Sequence, residues 1–318
     1  MVARILLVTA AITTGGWVLL SSGCSDSGPP AFESGTVRVV CTTTIVADLV
    51  QHVGGDRVKV ETIMGAGVDP HRYQPAPSDI AKLESAHIVF FNGLHLEGKM
   101  TDTFDKSSGR IRAFAVTRDI PQSSLREAEP GSEAHHDPHV WFDVKLWSKC
   151  IEVVRAELTN LDAAGAGTYR KNADAYVKEL LALDAEIREK LQTIVTPKRV
   201  LVTSHDAFGY FGRAYGYEVR GLQGVSTASE TGTTDVQNLA AFLGKNKIPA
   251  MFTETSTSEG GLKAVLDVCA KDYKHTVALI GGDDALFSDA LGELGTPGGT
   301  YPGMICHNAK VIVEALSK

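Results

Sequence analysis

The amino-acid sequence is acidic: its 318 residues include 38 Asp and Glu against 31 Lys and Arg, a formal net charge of −7 at pH 7. Nucleic acid requires clustered Lys and Arg, so this balance argues against a nucleic-acid partner, whereas a negative field favours the capture of small cations. The length is sufficient for one large domain or two ordinary ones.

The first 23 residues have the pattern of a secretory signal peptide. Arg4 is their only charge, and the apolar run that follows is shorter than a comfortable membrane span. The stretch Leu20-Ser21-Ser22-Gly23-Cys24 resembles a bacterial lipobox, although its Leu lies one place further from the Cys than usual. We therefore predict an exported lipoprotein, periplasmic or on the outer leaflet, with a lipid on Cys24 and a flexible tether over residues 24–36. The alternative is plain cleavage and a free periplasmic protein.

The remaining cysteines do not indicate a sulfur-rich zinc site. They are widely spaced and form no CxxC pair: Cys41, Cys150, Cys269 and Cys306. Disulfides can form in an oxidising compartment, and a bond between Cys269 and Cys306 is one possibility that the sequence leaves open.

Short β-branched runs alternate with helical stretches along the chain. A first set of strands is predicted at residues 37–41, 58–63, 88–91 and 111–116. A second set is predicted at residues 200–203, 217–222, 250–253 and 276–280. Buried strands separated by helices predict parallel sheets covered on both faces. The expected fold is α/β with two lobes, each a mostly parallel sheet flanked by helices.

The longest periodic segment lies between the two sets of strands, at about residues 168–194, and no Gly or Pro interrupts it. Such a helix would be roughly 40 Å long. It is either an ordinary amphipathic helix or a stiff spine joining both lobes. The predicted division is an N-terminal lobe over residues 37–166, a linking helix over 167–195 and a C-terminal lobe over 196–318.

A proline-stiffened loop at residues 67–79 carries His71. Three prolines hold this loop extended, which suits a metal ligand that must keep fixed bond lengths and angles. Ser78 is a candidate N-cap of the helix that follows. A single His in a loop is more often an ordinary residue, so His71 alone decides nothing.

Three further side chains occur in comparable settings. His139 also follows a proline and is flanked by aromatic residues, and His205 stands at the end of a predicted strand. Ligands of open α/β sheets bind at the carboxyl ends of strands. Asp289 lies in a loop ahead of the last helix. Together with His71, these residues predict one site shared between the two lobes.

Several motifs resemble the metal-binding family of bacterial ABC-transporter solute-binding proteins, called cluster A-I or the TroA, PsaA and ZnuA type. The matching stretches extend over nearly the whole exported chain: Asp69-Pro70-His71 with Tyr73, Pro75 and Pro77; Asn92-Gly93-Leu94 with Glu97; His139-Val140-Trp141-Phe142-Asp143; Ser204-His205-Asp206-Ala207-Phe208-Gly209-Tyr210-Phe211; and Phe287-Ser288-Asp289. This resemblance implies that the metal ligands are His71, His139, His205 and Asp289. It also implies that two ligands come from each lobe and that the long helix is the spine.

The expected cargo is Zn²⁺ or Mn²⁺, with no organic cofactor. Three imidazoles and a carboxylate suit Zn(II) and also accept Mn(II) or Fe(II), with intrinsic affinity favouring zinc. The resemblance implies that a His at position 205 favours zinc, or zinc together with manganese. Zinc-type members often carry a long His-rich loop, but here the corresponding region, residues 127–137, contains only His135 and His136. We therefore expect zinc first and manganese next.

Four acidic residues are candidates for orienting the imidazoles: Asp69, Asp143, Asp206 and Glu254. Asp143 and Asp206 could instead cap helices, because both roles use the same oxygen chemistry.

The favoured function is a binding protein rather than an enzyme. Such a protein would be a monomer, attached to the membrane by its lipid, that passes metal to an ABC permease and its ATPase. A secreted zinc hydrolase is the alternative, but the sequence contains no HExxH, no GxSxG and no Glu beside a candidate ligand. A surface adhesin is a third possibility, for which the sequence has no supporting feature.

Overall fold

The computed structural model describes residues 28–107, 109–128, 134–229 and 231–317. The predicted signal peptide and the predicted lipidation site Cys24 lie outside these residues. The strands are β1 Val37–Cys41, β2 Val58–Thr62, β3 Ile88–Phe91, β4 Ala113–Ala115, β5 Val200–His205, β6 Glu218–Gln223, β7 Ala250–Phe252 and β8 Ala278–Ile280. The α-helices are α1 Thr44–Gly54, α2 Pro77–Ser85, α3 Gly98–Lys106, α4 Val144–Trp147, α5 Cys150–Leu161, α6 Ala166–Gln192, α7 Gly209–Tyr215, α8 Thr233–Asn246, α9 Gly260–Tyr273 and α10 Tyr301–Leu316.

The N-terminal half contains a four-stranded parallel sheet in the order β2-β1-β3-β4. Its central strand β1 is almost entirely buried, as expected for a strand covered by helices on both faces. Thr43 follows this strand and is the N-cap of α1, because its hydroxyl accepts the N–H of Val46 at 3.2 Å. The carboxyl end of β1 therefore turns directly into a helix.

The C-terminal half contains two parallel pairs, β5–β6 and β7–β8. The sequence predicts one sheet here, and β5 and β7 do lie side by side. At the end of β5, the backbone N–H of His205 is bonded by the side chain of Glu254 at 2.9 Å instead of by a backbone carbonyl of β7. At the end of β5, a side chain of the candidate site, Glu254, therefore bonds the backbone where a neighbouring strand could have paired.

Helix α6 contacts both halves of the molecule. It has 27 residues, corresponding to about 40 Å. In its first half, the Tyr176 hydroxyl donates to Asp48 of α1 at 2.9 Å. Near its end, Asp184 accepts from Tyr215 at 3.1 Å, and the Leu191 carbonyl accepts from Tyr217 at 3.0 Å. The long helix is thus bonded to both halves of the molecule, as predicted.

The main hydrophobic core is shared between the halves. Its buried side chains include Phe90 from β3, Trp147 from α4, Phe252 from β7 and Tyr301 from α10. A second cluster packs α8 and α9 onto the C-terminal strands, and a smaller one lies under α2. Among the described residues, no helix combines the length and apolar character that crossing a membrane requires.

All four described cysteines are free thiols. Cys269 belongs to the cluster beneath α8 and α9, whereas Cys306 on α10 packs against the main core. The disulfide that the sequence left open is therefore not formed.

Candidate metal centre

Four side chains that are distant in sequence converge on one point. The Nε2 atom of His139 lies 3.2 Å from Nε2 of His71 and 3.3 Å from Nε2 of His205. The two carboxylate oxygens of Asp289 lie 3.4 Å from His139 Nε2 and His205 Nε2, respectively. Three of these residues are buried, and His71 is half-buried. The structure therefore brings together all four ligand candidates, two from each half.

His71 is held in its loop by Asp69, whose Oδ1 accepts the His71 backbone N–H at 2.9 Å. This side-chain turn fixes the backbone at the imidazole. The following helix begins before Ser78, so the prediction of Ser78 as its N-cap is wrong. The N–H of Ala76 is instead bonded by the Asp79 carboxylate, which reaches back from the first turn at 2.8 Å.

His139 is oriented by Asp137, a residue that the sequence analysis did not assign to the site. Asp137 Oδ1 lies 2.8 Å from His139 Nδ1 and also accepts the His139 backbone N–H at 2.9 Å. Its other oxygen accepts from Arg126 Nε at 3.1 Å. The sequence contains a signal for this role of Asp137, because Asp-Pro-His occurs at residues 137–139 as it does at residues 69–71.

His205 is the last residue of β5, and its orienting carboxylate is Glu254, just after β7. Glu254 Oε2 lies 2.5 Å from His205 Nδ1. Asp289 is held by a different contact, since Ser256 Oγ lies 3.3 Å from its Oδ2. The neighbouring Ser288 carbonyl accepts from Trp141 Nε1 at 3.0 Å, which ties this loop to the N-terminal half.

The contacts that the structure gives for the other two acidic candidates are with a helix terminus and with Arg126. Asp143 caps α4, accepting the Leu146 N–H at 3.0 Å, which is the second of the two roles proposed for it. Asp206 lies 4.0 Å from Arg126, the same side chain that binds Asp137.

The electrostatic environment differs among the imidazoles. Desolvation, together with the two neighbouring rings, lowers the pKa of His71 to about 3. Burial opposes charge on His139, but hydrogen bonds with Asp137 and Asp289 outweigh it and raise its pKa. Burial also opposes charge on His205, where Glu254 and Asp289 raise the pKa well above its usual value.

Asp289 is held in its ionised form. Its burial favours the neutral acid, but the charge of His205 and the close contacts with His139 and His205 keep its pKa well below the usual range. Its Oδ1 atom is buried and has no hydrogen-bond partner among the described residues. A buried, unsatisfied carboxylate oxygen is costly unless a cation occupies the space beside it.

The four ligand atoms lie close enough together to bind one cation. Zinc–nitrogen bonds of about 2.0–2.1 Å place neighbouring ligand atoms of a tetrahedron about 3.3 Å apart. The two distances from His139 Nε2 to the other rings are 3.2 and 3.3 Å, and the four ligand atoms all lie within 4.8 Å of one another. Four protein ligands close such a site, whereas a catalytic zinc keeps one position for water.

Two α/β halves joined by a long helix, with three histidines and an aspartate converging between them, define an extracytoplasmic solute-binding protein for a metal ion. The family model described as "ZnuA: Zinc-uptake complex component A periplasmic" matches residues 39–315. The chain belongs to this family.

Relatives of this chain include proteins named as zinc-binding and proteins named as manganese-binding. The chain is 45% identical over 288 residues to the zinc-binding protein TroA of Treponema pallidum, covering 91% of each chain. It is 42% identical over 307 residues to the manganese-binding lipoprotein MntA of Bacillus subtilis, covering 96% of this chain and 98% of that one. The solved structure of TroA from T. pallidum matches with a TM-score of 0.84 at 44% identity, covering 89% of this chain and all of that one.

Membership in this family decides between the predicted function classes. Its members are the substrate-binding components of metal ABC transporters, and the chain is accordingly a transport component and not an enzyme. The hydrolase alternative has no support from the relatives.

Proposed function

We propose that this protein captures a divalent transition metal between its lobes and delivers it to an ABC permease driven by an ATPase. The proposed ligands are His71, His139, His205 and Asp289. The observation that carries the assignment is the convergence of their four ligand atoms, which all lie within 4.8 Å of one another beside a buried, unpaired Asp289 oxygen. The names of the relatives, which include a zinc-binding and a manganese-binding protein, support the same class of cargo.

Zinc is the proposed preferred ion, with manganese next. Three imidazoles and one carboxylate form a ligand set that zinc commonly takes in proteins. Intrinsic affinity also favours zinc over manganese at a site of nitrogen and oxygen ligands, so manganese loading would depend on supply.

We further propose the division into an N-terminal lobe of residues 37–166, a linking helix of residues 167–195 and a C-terminal lobe of residues 196–318. Each lobe supplies two of the ligands. His71 is the only half-buried member of the set, so metal would enter and leave on its side. The protein is proposed to act as a monomer, which light scattering on the metal-loaded form would test.

Lipidation of Cys24 and attachment to the membrane are also proposed. The lipobox-like sequence supports this, as do relatives named as lipoproteins. Full-length protein expressed in a bacterial host should fractionate with membranes, and Cys24→Ser should release it. If the wild type is also found only in the soluble fraction, the protein is secreted without a lipid.

The central test is metal competition. Residues 25–318 would be expressed in soluble form, stripped of metal and exposed to zinc and manganese together, and bound metal would be quantified. We expect one metal per chain in the wild type, and affinity reduced about a hundredfold or more in His205→Ala, since even outer partners of a ligand cost about 10–100-fold.

His275→Ala is the matched control. This imidazole bonds the Ile248 carbonyl at 2.7 Å and precedes β8, so it lies at the amino ends of the strands, opposite the site. The control should bind metal like the wild type. Unchanged binding in His205→Ala would overturn the ligand assignment.

A further inference from the structure

The loop that carries His71, residues 65–75, has few bonds to the rest of the protein; it is called the His71 loop below. Its described backbone hydrogen bonds stay within the loop, such as the bond from the His71 N–H to Asp69 at 2.9 Å. A cavity of about 300 Å³ beside it is lined by Asp69 and Arg72 and otherwise by residues of the C-terminal half. A loop with few bonds and open space beside it can move without unfolding its neighbours.

One hydrogen bond joins this loop to the C-terminal half. The Thr227 hydroxyl donates to Oδ2 of Asp69 at 2.5 Å, although the two residues are 158 positions apart in sequence. Thr227 is only 2% exposed, so the bond to the carboxylate is shielded from water, which strengthens it. Among the described residues, it is the only direct hydrogen bond between the His71 loop and the C-terminal half.

Thr227 lies between two bonded positions of its own loop, which follows β6. Before it, the Gly224 carbonyl accepts the N–H of Asp206 at 3.2 Å. After it, the Ser229 carbonyl accepts from the side chain of the last residue of β6 at 2.9 Å. Because Asp206 directly follows His205, Thr227 is positioned by the same segment that carries a ligand of the C-terminal half.

Asp69 connects the backbone of one ligand to this fixed position in the other half. Its Oδ1 atom accepts the His71 N–H, and its Oδ2 atom accepts the Thr227 hydroxyl. Acidic side chains contact the rings of His139 and His205 directly, whereas His71 is held through its backbone. His71 is also the only half-buried ligand, so its position depends most on this pair.

We propose that Thr227 is a positioning residue that latches the His71 loop over the metal and sets the rate at which the metal leaves. The latch is the hydrogen bond from Thr227 to Asp69. The inference rests on the proposed function, because it concerns the release of the same cargo. When the bond breaks, the loop can take His71 off the metal while the three buried ligands stay in place.

The latch should act more on rates than on affinity. Its two oxygen atoms are not ligand atoms, so the bond can close the loop with or without a metal in the site. A closed loop slows entry as well as release, and these two effects partly cancel in the dissociation constant. A side chain that merely strengthened a ligand would change the release rate and the dissociation constant by the same factor.

Stopped-flow release of zinc tests the latch. Zinc-loaded protein of residues 25–318 is mixed with an excess of a chromogenic chelator, and an equilibrium titration with the same chelator gives the dissociation constant. Thr227→Val keeps the size of the side chain but removes the hydroxyl. We expect this variant to release zinc about tenfold faster, because a hydrogen bond to a charged group commonly contributes at least such a factor. Its affinity should fall by a smaller factor.

Two further variants isolate the hydroxyl. Thr227→Ser keeps a donor at the same position and should release zinc like the wild type. Thr231→Val is the matched control, since Thr231 lines the same cavity but makes no hydrogen bond with any residue that the structure describes. Melting temperatures of the metal-free proteins check that each variant is folded, and Thr227→Ala replaces Thr227→Val if the latter is not.

A double variant tests whether Thr227 acts through Asp69. Asp69→Ala removes the acceptor of the latch, so it should speed release by itself. Adding Thr227→Val to Asp69→Ala should then produce little further change. If the two side chains acted independently, their effects on the release rate would multiply instead.

The outcomes separate this inference from the function on which it rests. Release of zinc from Thr227→Val at the wild-type rate overturns the latch and leaves the metal site intact. Multiplying effects in the double variant, equally fast release from Thr227→Ser, or a loss of affinity as large as the gain in release rate also overturn it. Protein that binds no zinc overturns the proposed function itself.

Discussion

An acidic residue fixes each histidine of the site, in two cases at the ring and in one case at the backbone. Asp137 and Glu254 lie against the Nδ1 atoms of His139 and His205, so those rings keep their Nε2 atoms for a metal. Asp69 instead bonds the backbone of His71. The His71 ring therefore has less support than the other two, which agrees with its position on the exposed side of the site.

Replacing Glu254 with Gln should weaken metal binding about 10–100-fold. The amide keeps the shape of the side chain but cannot accept two hydrogen bonds with the charge that holds His205. A competition titration against a chelator of known affinity measures the change. Glu259→Gln, which alters a surface pair with Lys263, is the control and should have no effect. Equal affinities of Glu254→Gln and the wild type would mean that Glu254 does not orient His205.

Metal binding should release protons and become stronger as pH rises. Burial opposes the charge on His205, but Glu254 and Asp289 raise its pKa well above the usual value, so the metal-free ring carries a proton at neutral pH. A metal ligand must be the neutral imidazole, so this proton leaves when metal binds. His71, with its pKa lowered to about 3 by desolvation, has no proton to lose.

These pKa shifts determine how metal affinity changes with pH. Affinity falls as pH drops below the raised pKa of His205, because protons compete with metal, and it levels off above that pKa. Calorimetric titration with zinc in buffers of different ionisation enthalpy measures the released protons, and we expect about one or two per zinc near neutral pH. Release of no protons would contradict the raised pKa values of His139 and His205.

At the scale of elements, residues 126–128 pair antiparallel with residues 135–137, just before His139; these two paired segments are called the hairpin below. Its two sides meet where Glu127 and His136 form an isolated bridge. Tyr210 of α7, from the other half, completes this hairpin: its hydroxyl accepts the Arg126 N–H and donates to the Asp137 carbonyl, both at 2.9 Å. Because α7 begins just after His205, one side chain couples the supports of two ligands.

Tyr210→Phe should therefore affect both stability and metal binding. Losing the hydroxyl leaves the Arg126 N–H and Asp137 carbonyl without their partner, at a cost of about 1–3 kcal/mol in the free energy of unfolding. The loosened hairpin should also weaken zinc binding several-fold. Denaturant unfolding of the metal-free protein and a chelator competition measure the two effects.

Tyr215→Phe is the matched control for this prediction. It removes a buried hydroxyl that donates to Asp184 of α6, away from the ligands, at 3.1 Å. It should cost similar stability but leave zinc affinity unchanged. Weakened binding in both variants would mean that the hairpin has no special role and that affinity simply follows global stability.

The sequence predicted elements well where the pattern was local. β1 and β3 were predicted at their observed bounds, because continuous β-branched runs specify buried strands. β4 and β8 are shorter than predicted, since only three residues of each pair with a neighbour. The division of the C-terminal strands into two pairs could not be predicted, because no local pattern of the sequence specifies which strands share a ladder.

The same distinction applies to the site. Each of the four converging residues had a local signal, such as a proline before the His or a position at a strand end. Asp137 had the repeated Asp-Pro-His pattern, yet its role was missed because that pattern was interpreted only for His71. Tyr210 had no local signal, since its partners are 84 and 73 residues away in sequence.

At the scale of the whole molecule, the two halves share one core. Buried residues from Val37 of β1 to Leu316 of α10 belong to a single hydrophobic cluster, and α6 packs against helices of both halves. The sheets of the two halves are therefore separate, whereas the hydrophobic core is continuous between them. Because the packing is continuous, a large rotation of one lobe against the other would expose apolar surface, so metal exchange should involve local movement near His71.

This shared core predicts that the metal-free protein unfolds in one cooperative transition, even though it contains two α/β lobes. Zinc binds only the folded state, so at a free concentration about a thousand times its dissociation constant it should stabilise that state by about 4 kcal/mol. Because the ligands come from both halves, the whole transition should move to higher temperature. Differential scanning calorimetry with and without zinc measures this, and His205→Ala should keep the single transition with little zinc-dependent shift. Two transitions, of which zinc moves only one, would show that the lobes unfold separately and that the core does not couple them.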